Sequence, residues 1–315
     1  MKALKIVFMG TPDFAVGILD SLIRYGYPVV GVITAPDKPA GRGQKIQESA
    51  VKKYAIAQNL KVLQPANLKN EEFLMELRDL QANLQIIVAF RMLPKVIWEI
   101  PEFGTFNLHA SLLPDYRGAA PINWAIIKGE TMTGVTTFYI DDKIDTGEII
   151  LQSKIAINEN DTAGTLHDKL MHLGADLVVT TIKHIEEGKV ITKKQPSARI
   201  EKVAHKISRE TCKINWEKPI NEIYNQIRGL TPYPASWTTL YNNDEALFLK
   251  IYEVAMIKED HNYQLKTILF DKRTMKIAVD GGYVNLLQIQ LPGKRKMRTQ
   301  EVLNGLTLKE NAHVS

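Results

Sequence analysis

Over about its first 190 residues the chain alternates compact apolar runs with segments of helical period. Leu4–Met9 is the first run. Phe14, Ala15, Ile18, Leu19, Leu22 and Ile23 then recur at the spacing of one helix face. Val29–Thr34, Leu84–Phe90, Phe106–Ala110, Val135–Ile140 and Glu148–Ile157 read as further strands. Helix candidates fall between them at Glu48–Gln58, Glu71–Leu80, Pro121–Lys128 and Thr162–Glu187. This alternation predicts an α/β fold with a mostly parallel sheet covered by helices, since parallel neighbours need a crossover and the crossover helices bury both faces. Ligands in such sheets sit beyond the carboxyl ends of the strands.

The tail reads differently. From about residue 220 helical signals give way to short strand-like runs at Ala246–Tyr252, Gln264–Phe270, Lys276–Val279 and Tyr283–Gln290. Asn242-Asn243-Asp244, Asp280-Gly281-Gly282 and Pro292-Gly293 punctuate them, the pattern of a small β-barrel or sandwich. The Lys-rich stretch Lys193–Arg209 reads as the linker. Two domains are expected, 1–204 with the linker at its end and 205–315.

Composition enters as a filter. With 45% hydrophobic and 24% charged residues the chain holds enough apolar material to fold, which excludes disorder. The opening apolar run has no cleavage-site pattern behind it, and no run reaches the ~18 residues of a membrane span. Cys212, the single cysteine, can form neither an internal disulfide nor a cysteine-based zinc site, which fits a reducing cytoplasmic setting. The net charge of +5 is unevenly placed. Residues 1–204 hold 24 basic and 23 acidic side chains, and residues 205–315 hold 16 and 12. The tail therefore carries most of the surplus.

Met9-Gly10-Thr11-Pro12 joins a strand to a helix, but neither a G-x-G-x-x-G fingerprint nor a phosphate-binding G-x-x-x-x-G-K-[ST] loop is present. A plain strand-to-helix turn is the simpler reading. The richest segment starts at Gly104 and runs to Ile122. In it Asn107 and His109 are two apart on a strand, so both face one side. An amide beside an imidazole can donate to an oxygen that gains negative charge. A hydrogen-bonded core pair is the bland alternative, and the Pro/Gly-punctuated loop directly after the strand favours function. Asp141, Asp142 and Asp145 share a turn between two strands. A carboxylate there could hold an imidazole charged or accept a proton, or all three could be turn acids without chemistry. No second His stands at ligand spacing, and no metal is expected. Ala35–Lys45, with two Pro, two Gly and three basic residues, is expected to be neither helix nor strand. Either it is a solvated loop or Arg42 and Lys45 reach a phosphate-bearing partner. Lys294, Arg295, Lys296 and Arg298 form a basic run in the tail, either a solvated face or part of a nucleic-acid footprint.

Together these segments resemble the 10-formyltetrahydrofolate-dependent formyltransferases, and among them the methionyl-tRNA formyltransferase family. The resemblance rests on Val7–Ala15, Ala35–Gly43, Asn107–Pro114, Arg117–Ile122, Ile144–Ile149 and Arg228–Trp237, in the family's order. It implies a Rossmann-like N-terminal domain that binds 10-formyltetrahydrofolate and an OB-like C-terminal barrel that binds tRNA. It places the family's catalytic residues on Asn107, His109 and Asp145, its folate loop on Ser111, Leu112, Leu113 and Pro114, and its tRNA loop around Arg42. Two departures stand out. Phe90-Arg91 replaces the family's Tyr-Gly at the wall of the pterin pocket, and Asp115 stands where a basic residue is common.

The implied reaction is transfer of a formyl group to the α-amino group of methionyl initiator tRNA, for translation initiation. Lys45, Lys206, Lys294, Arg295, Lys296 and Arg298 join Arg42 as candidate tRNA contacts. A cytoplasmic monomer that binds no membrane is expected. A formyltransferase acting on an amino sugar nucleotide is the alternative. The length of the tail argues against a glycinamide ribonucleotide enzyme. A non-catalytic RNA-binding protein would leave Asn107, His109 and Asp145 unexplained.

Overall fold

Ile6–Gly10 (β1) is buried at every residue, as a strand covered on both faces must be. Asp13–Arg24 (α1) follows, with Phe14, Ala15, Ile18, Leu19 and Leu22 turned inward. Gly10 is required at the junction, because a Cβ there would lie 2.6 Å from the Ala15 Cβ and 3.1 Å from the Val88 carbonyl oxygen. The computed structural model describes residues 3–40, 45–196, 202–243 and 245–315, with the backbone alone described at Ala40 and Lys45.

Val29–Ile33 (β2), Lys38–Ala40 (β3), Lys45–Gln47 (β4), Ala50–Ala57 (α2), Val62–Leu63 (β5) and Glu71–Asp79 (α3) take the chain out to one edge. Leu84–Val88 (β6), Lys95–Trp98 (α4) and Thr105–His109 (β7) bring it back past β1. Arg117–Gly118 (β8), Pro121–Ile127 (α5), Met132–Tyr139 (β9), Ile149–Ala156 (β10) and Ala163–Glu186 (α6) follow. The sheet order is β10-β9-β7-β6-β1-β2-β5. Strands β5, β2, β1, β6 and β7 are parallel, and β9 is antiparallel to β7. Chain direction across the sheet reverses between β1 and β6, which opens a crevice beyond their carboxyl ends, next to β7.

Val203–Ala204 (β11), Arg209–Cys212 (α7), Ile220–Leu230 (α8), Ser236–Asn242 (β12), Glu245–Ile257 (β13), Ile268–Phe270 (β14), Met275–Val279 (β15), Gly282–Gln290 (β16), Met297–Arg298 (β17), Thr299–Leu303 (α9) and His313–Val314 (β18) complete the chain. The second sheet runs β14-β15-β16-β13-β12-β18, with β17 on β16. Its two edges meet: Ile268 N donates to the Ala312 carbonyl at 3.1 Å, and Val314 N to that of Lys266 at 3.1 Å. The sheet is a nearly closed antiparallel barrel, and closure removes the exposed edges that invite aggregation. Its core includes Trp216, Ile223, Ile227, Leu249, Ile277 and Val284, each contributing ~1.5–3 kcal/mol by burial. Trp216 Nε1 donates to the Thr238 hydroxyl at 2.9 Å, so the buried indole leaves no polar atom unpaired.

The structure divides into two compact units. One comprises Met1–Gly118, Met132–Ile155 and His167–Val203; the other comprises Ala119–Thr131, Ala156–Leu166 and Ala204–Ser315.

Two local expectations are corrected. Helices do not cease near residue 220: α8 spans eleven residues with Ile220, Ile223, Ile227 and Leu230 buried. Their i, i+3, i+7 and i+10 spacing is the helical signal, and Pro219 at the N-cap position fits a helix start. The Ala35–Lys45 segment is also not free of strand. Lys38–Ala40 pairs with Lys45–Gln47 as a two-stranded ribbon, Pro39 opposite Ile46. A ribbon leaves an outer edge unpaired, and there proline's missing N–H costs nothing.

Candidate active site

Strand β7 carries Asn107 and His109 on one face, with Asn107 level with Phe138 and His109 level with Thr136 on β9. The His109 ring is buried, and its Nε2 lies 2.8 Å from the Tyr116 carbonyl oxygen. A carbonyl only accepts, so Nε2 carries a hydrogen. Nδ1 faces the Asp145 carboxylate, 3.8 Å from Oδ2. That gap is too long for a hydrogen bond, and both side chains are largely shielded from water. The Oδ1 of Asn107 is buried without a hydrogen-bond partner. Such an unsatisfied atom is uncommon, and a half-turn of the amide would present Nδ2 in its place.

The turn between β9 and β10 explains how Asp145 comes to face the imidazole. Asp141 accepts from Lys143 N at 2.9 Å and from the Thr146 hydroxyl at 2.7 Å, which builds the turn. Asp142 is exposed. Asp145 adopts φ 55°, a left-handed conformation that Asp tolerates better than most residues, and its Oδ2 accepts from Gly118 N at 2.8 Å. Gly147 cannot be replaced, since a Cβ would stand 1.7 Å from the Tyr139 carbonyl oxygen. Of the three aspartates, one shapes the turn, one is solvated and one meets the histidine.

The loop after β7 is fixed by buried polar contacts. The Thr136 hydroxyl donates to the Ser111 carbonyl at 2.7 Å and accepts from Leu113 N at 3.1 Å. Gln152 Nε2 donates to the Leu113 carbonyl at 2.8 Å. The Ser111 hydroxyl is spent on the Asp115 carbonyl at 2.7 Å, and Leu113 packs with Phe138 and Ile149. Leu112 and Pro114 remain half-buried. Past the end of β6, Phe90 packs at the margin of a core cluster while Met92 and Val96 are exposed. Arg91 donates to the carbonyls of Pro65 and Ala66, and burial lowers its pKa. Asp115 lies 3.8 Å from Lys202 Nζ.

The formyl transferase family model matches residues 4–182, and that for the family's C-terminal domain matches residues 206–307. The chain belongs to the formyl transferase family.

Among curated formyltransferases, the methionyl-tRNA formyltransferase of Flavobacterium johnsoniae is 60% identical to this chain, with 100% of each covered. That of Bacteroides fragilis is 53% identical over 98% of this chain and 96% of its own. Among solved structures, the N-formyltransferase of Helicobacter canadensis, in complex with folinic acid and dTDP-3-aminofucose, is 26% identical with a TM-score of 0.67, covering 90% of this chain and 98% of that one. HypX of Aquifex aeolicus, in complex with tetrahydrofolic acid, shares the fold at 15% identity and a TM-score of 0.64, covering 96% of this chain and 47% of that one.

The basic residues singled out in the formyltransferase sequence fare unequally. Arg42 lies outside the described residues, and only the backbone of Lys45 is described. The hairpin base below them is pinned: Asp37 accepts from Lys52 Nζ at 2.5 Å and from Gln64 Nε2 at 2.8 Å. Lys206, Lys294 and Arg295 are exposed. Lys296 Nζ lies over the Tyr252 ring at 5.0 Å. Arg298 donates to the Glu253 carboxylate at 2.6 Å, so its charge is partly neutralised.

Gln195 was not among the expected residues. It lies in the stretch that reads as linker, where one Gln among lysines carries no pattern. The structure docks its first residues on the catalytic unit: Lys193 and Ile149 exchange backbone hydrogen bonds of 2.8 and 2.9 Å, and Gln195 Nε2 donates to the Gly147 carbonyl at 2.7 Å.

Proposed function

We propose that this chain transfers the formyl group of 10-formyltetrahydrofolate to the α-amino group of methionyl initiator tRNA. Family membership supports formyl transfer, and relatives of 51–60% identity over nearly the whole chain bear the name of the tRNA enzyme. The observation that carries the chemistry is the meeting of His109 Nδ1 with the Asp145 carboxylate beside the unpartnered Asn107 amide.

The amine attacks the formyl carbon on N10, and the carbonyl oxygen becomes an oxyanion. With Nε2 anchored on the Tyr116 carbonyl, Nδ1 is the ring nitrogen left to donate to that oxygen. Asn107 Nδ2 is the second donor. Losing one such donor typically costs about 2.7–4 kcal/mol of barrier. His109 can donate from both nitrogens only as imidazolium, and that is the form this step uses. Asp145 takes the proton that the attacking amine sheds. When the tetrahedral adduct collapses, the C–N10 bond breaks and N10 takes that proton from Asp145, giving formylated methionyl-tRNA and tetrahydrofolate and restoring the carboxylate. An α-amino group titrates near pH 8, so its free base needs no further activation.

The apolar surface beyond β6, with Phe90, Met92 and Val96, stands beside the loop bearing Leu112 and Pro114, since β6 and β7 are parallel neighbours. It suits a flat pterin. Arg91, held on the carbonyls of Pro65 and Ala66, lays its guanidinium over the Phe90 ring at 5.6 Å, so it covers part of this surface. The tRNA reading assigns Lys45, Lys206, Lys294, Arg295 and Lys296 to phosphates and Arg42 to the acceptor end. The enzyme acts as a cytoplasmic monomer.

The test offers the purified chain labelled 10-formyltetrahydrofolate with methionyl-tRNA and, separately, with a dTDP-linked amino sugar. Label on the tRNA alone is expected. Label on the sugar alone would overturn the reading in favour of the amino sugar reaction.

A further inference from the structure

We propose that Gln195 is a positioning residue for the catalytic pair, setting Asp145 against His109 from a segment that reads as linker. Its amide holds two loops at once. Nε2 donates to the carbonyls of Asp145 at 3.1 Å and Gly147 at 2.7 Å. Oε1 accepts from Arg117, through Nε at 3.1 Å and through Nη2. Arg117 is flanked by the residues that fix the pair: Tyr116, whose carbonyl anchors His109, and Gly118, whose N–H holds Asp145. One side chain therefore ties the segment that bears Arg117 to the turn that bears Asp145.

The segment that carries Gln195 is itself secured. Lys193 pairs with Ile149, and the Thr192 hydroxyl donates to the Glu148 carboxylate. Asp145 needs such support because a non-glycine residue at φ 55° is strained, and strain of this kind persists only where surrounding contacts over-determine it. Arg117 gains from the same contact, since its half-buried guanidinium would otherwise lack this acceptor.

This role rests on the reading that Asp145 acts in the transfer. The test is a double-mutant cycle. Gln195→Glu keeps the acceptor for Arg117 and loses both donors to the aspartate turn; Gln195→Met removes the amide at similar length if the Glu variant does not fold. Either variant is expected to lower kcat about ten- to a hundredfold, the scale of a misplacement near 1 Å. KM for 10-formyltetrahydrofolate and for methionyl-tRNA should stay within about twofold. In an Asp145→Asn background the same substitution should change kcat by less than about threefold, because residues that act as a unit are not additive. An unchanged kcat in the single variants, or the full loss recurring in the Asp145→Asn background, would overturn the proposal. If Asp145→Asn alone leaves kcat intact, the Asp145 reading fails first. If it lowers kcat and the Gln195 variants do not, the positioning role fails by itself.

Discussion

His109 Nδ1 stands 3.8 Å from Asp145 Oδ2, beyond hydrogen-bond reach, so the carboxylate does not occupy Nδ1. Nε2, by contrast, is committed to the Tyr116 carbonyl at 2.8 Å. The two ring nitrogens therefore have distinct roles, and substitutions can separate them. An asparagine at position 109 places its amide nitrogen near Nδ1, whereas a glutamine places it near Nε2. His109→Asn should retain at least about tenfold more single-turnover activity than His109→Gln, since only the former keeps a donor toward the developing oxyanion. The reverse ranking would assign catalysis to Nε2.

Gly147 permits the turn that delivers Asp145. Its added Cβ would stand 1.7 Å from a backbone oxygen, which no side-chain movement relieves. Gly147→Ala should cost about 4 kcal/mol or more in urea unfolding, a magnitude reserved for severe local strain. A loss below about 1 kcal/mol would mean the β9–β10 turn is laxer than it looks.

The hairpin base offers a pH signature. Hydrogen bonding to Lys52 lowers the Asp37 pKa below its usual 3.8, and the Asp37 and Glu48 bonds raise that of Lys52 above 10.5. A depressed carboxylate pKa gives stability that is present above 3.8 and lost as pH falls through the folded value. A raised lysine pKa gives stability that is present below 10.5 and lost as pH rises through its folded value. The difference in stability between the parent chain and Asp37→Asn should thus be flat from about pH 5 to 9 and shrink on either side. Thermal melts across that range check it.

Much of the catalytic unit was legible in sequence. Parallel strands buried on both faces leave apolar runs, so β1, β6 and β7 stood out. The two-residue spacing of Asn107 and His109 placed both on one face. Asp145 was visible as one of three acids, but which one turned inward depended on the Asp141 turn and the Gly147 contact, both tertiary facts. Gln195 left no signal, because its four hydrogen bonds join groups distant in sequence. Helix α8 was legible and missed: its isoleucine period was present, beside a tail otherwise dominated by turn residues.

The basic tail is not uniform. Lys294 and Arg295 are exposed, whereas Arg298 is held by Glu253. Each substitution Lys294→Ala and Arg295→Ala should flatten the salt dependence of the tRNA KM by up to about one unit of log–log slope and leave the folate KM unchanged. Arg298→Ala should flatten it less. Equal effects from all three would indicate that the Glu253 pair opens on tRNA binding.

The most direct measurement pairs the single-turnover rate of Asp145→Asn with its equilibrium affinity for 10-formyltetrahydrofolate. Asn accepts the left-handed backbone and the Gly118 hydrogen bond while losing the charge and the proton acceptor. Formyl transfer to methionyl-tRNA should fall about 10²- to 10⁴-fold with folate affinity changed less than about threefold. Transfer within about twofold of the parent would contradict a chemical role for Asp145, and a parallel loss of folate affinity would make it a binding residue.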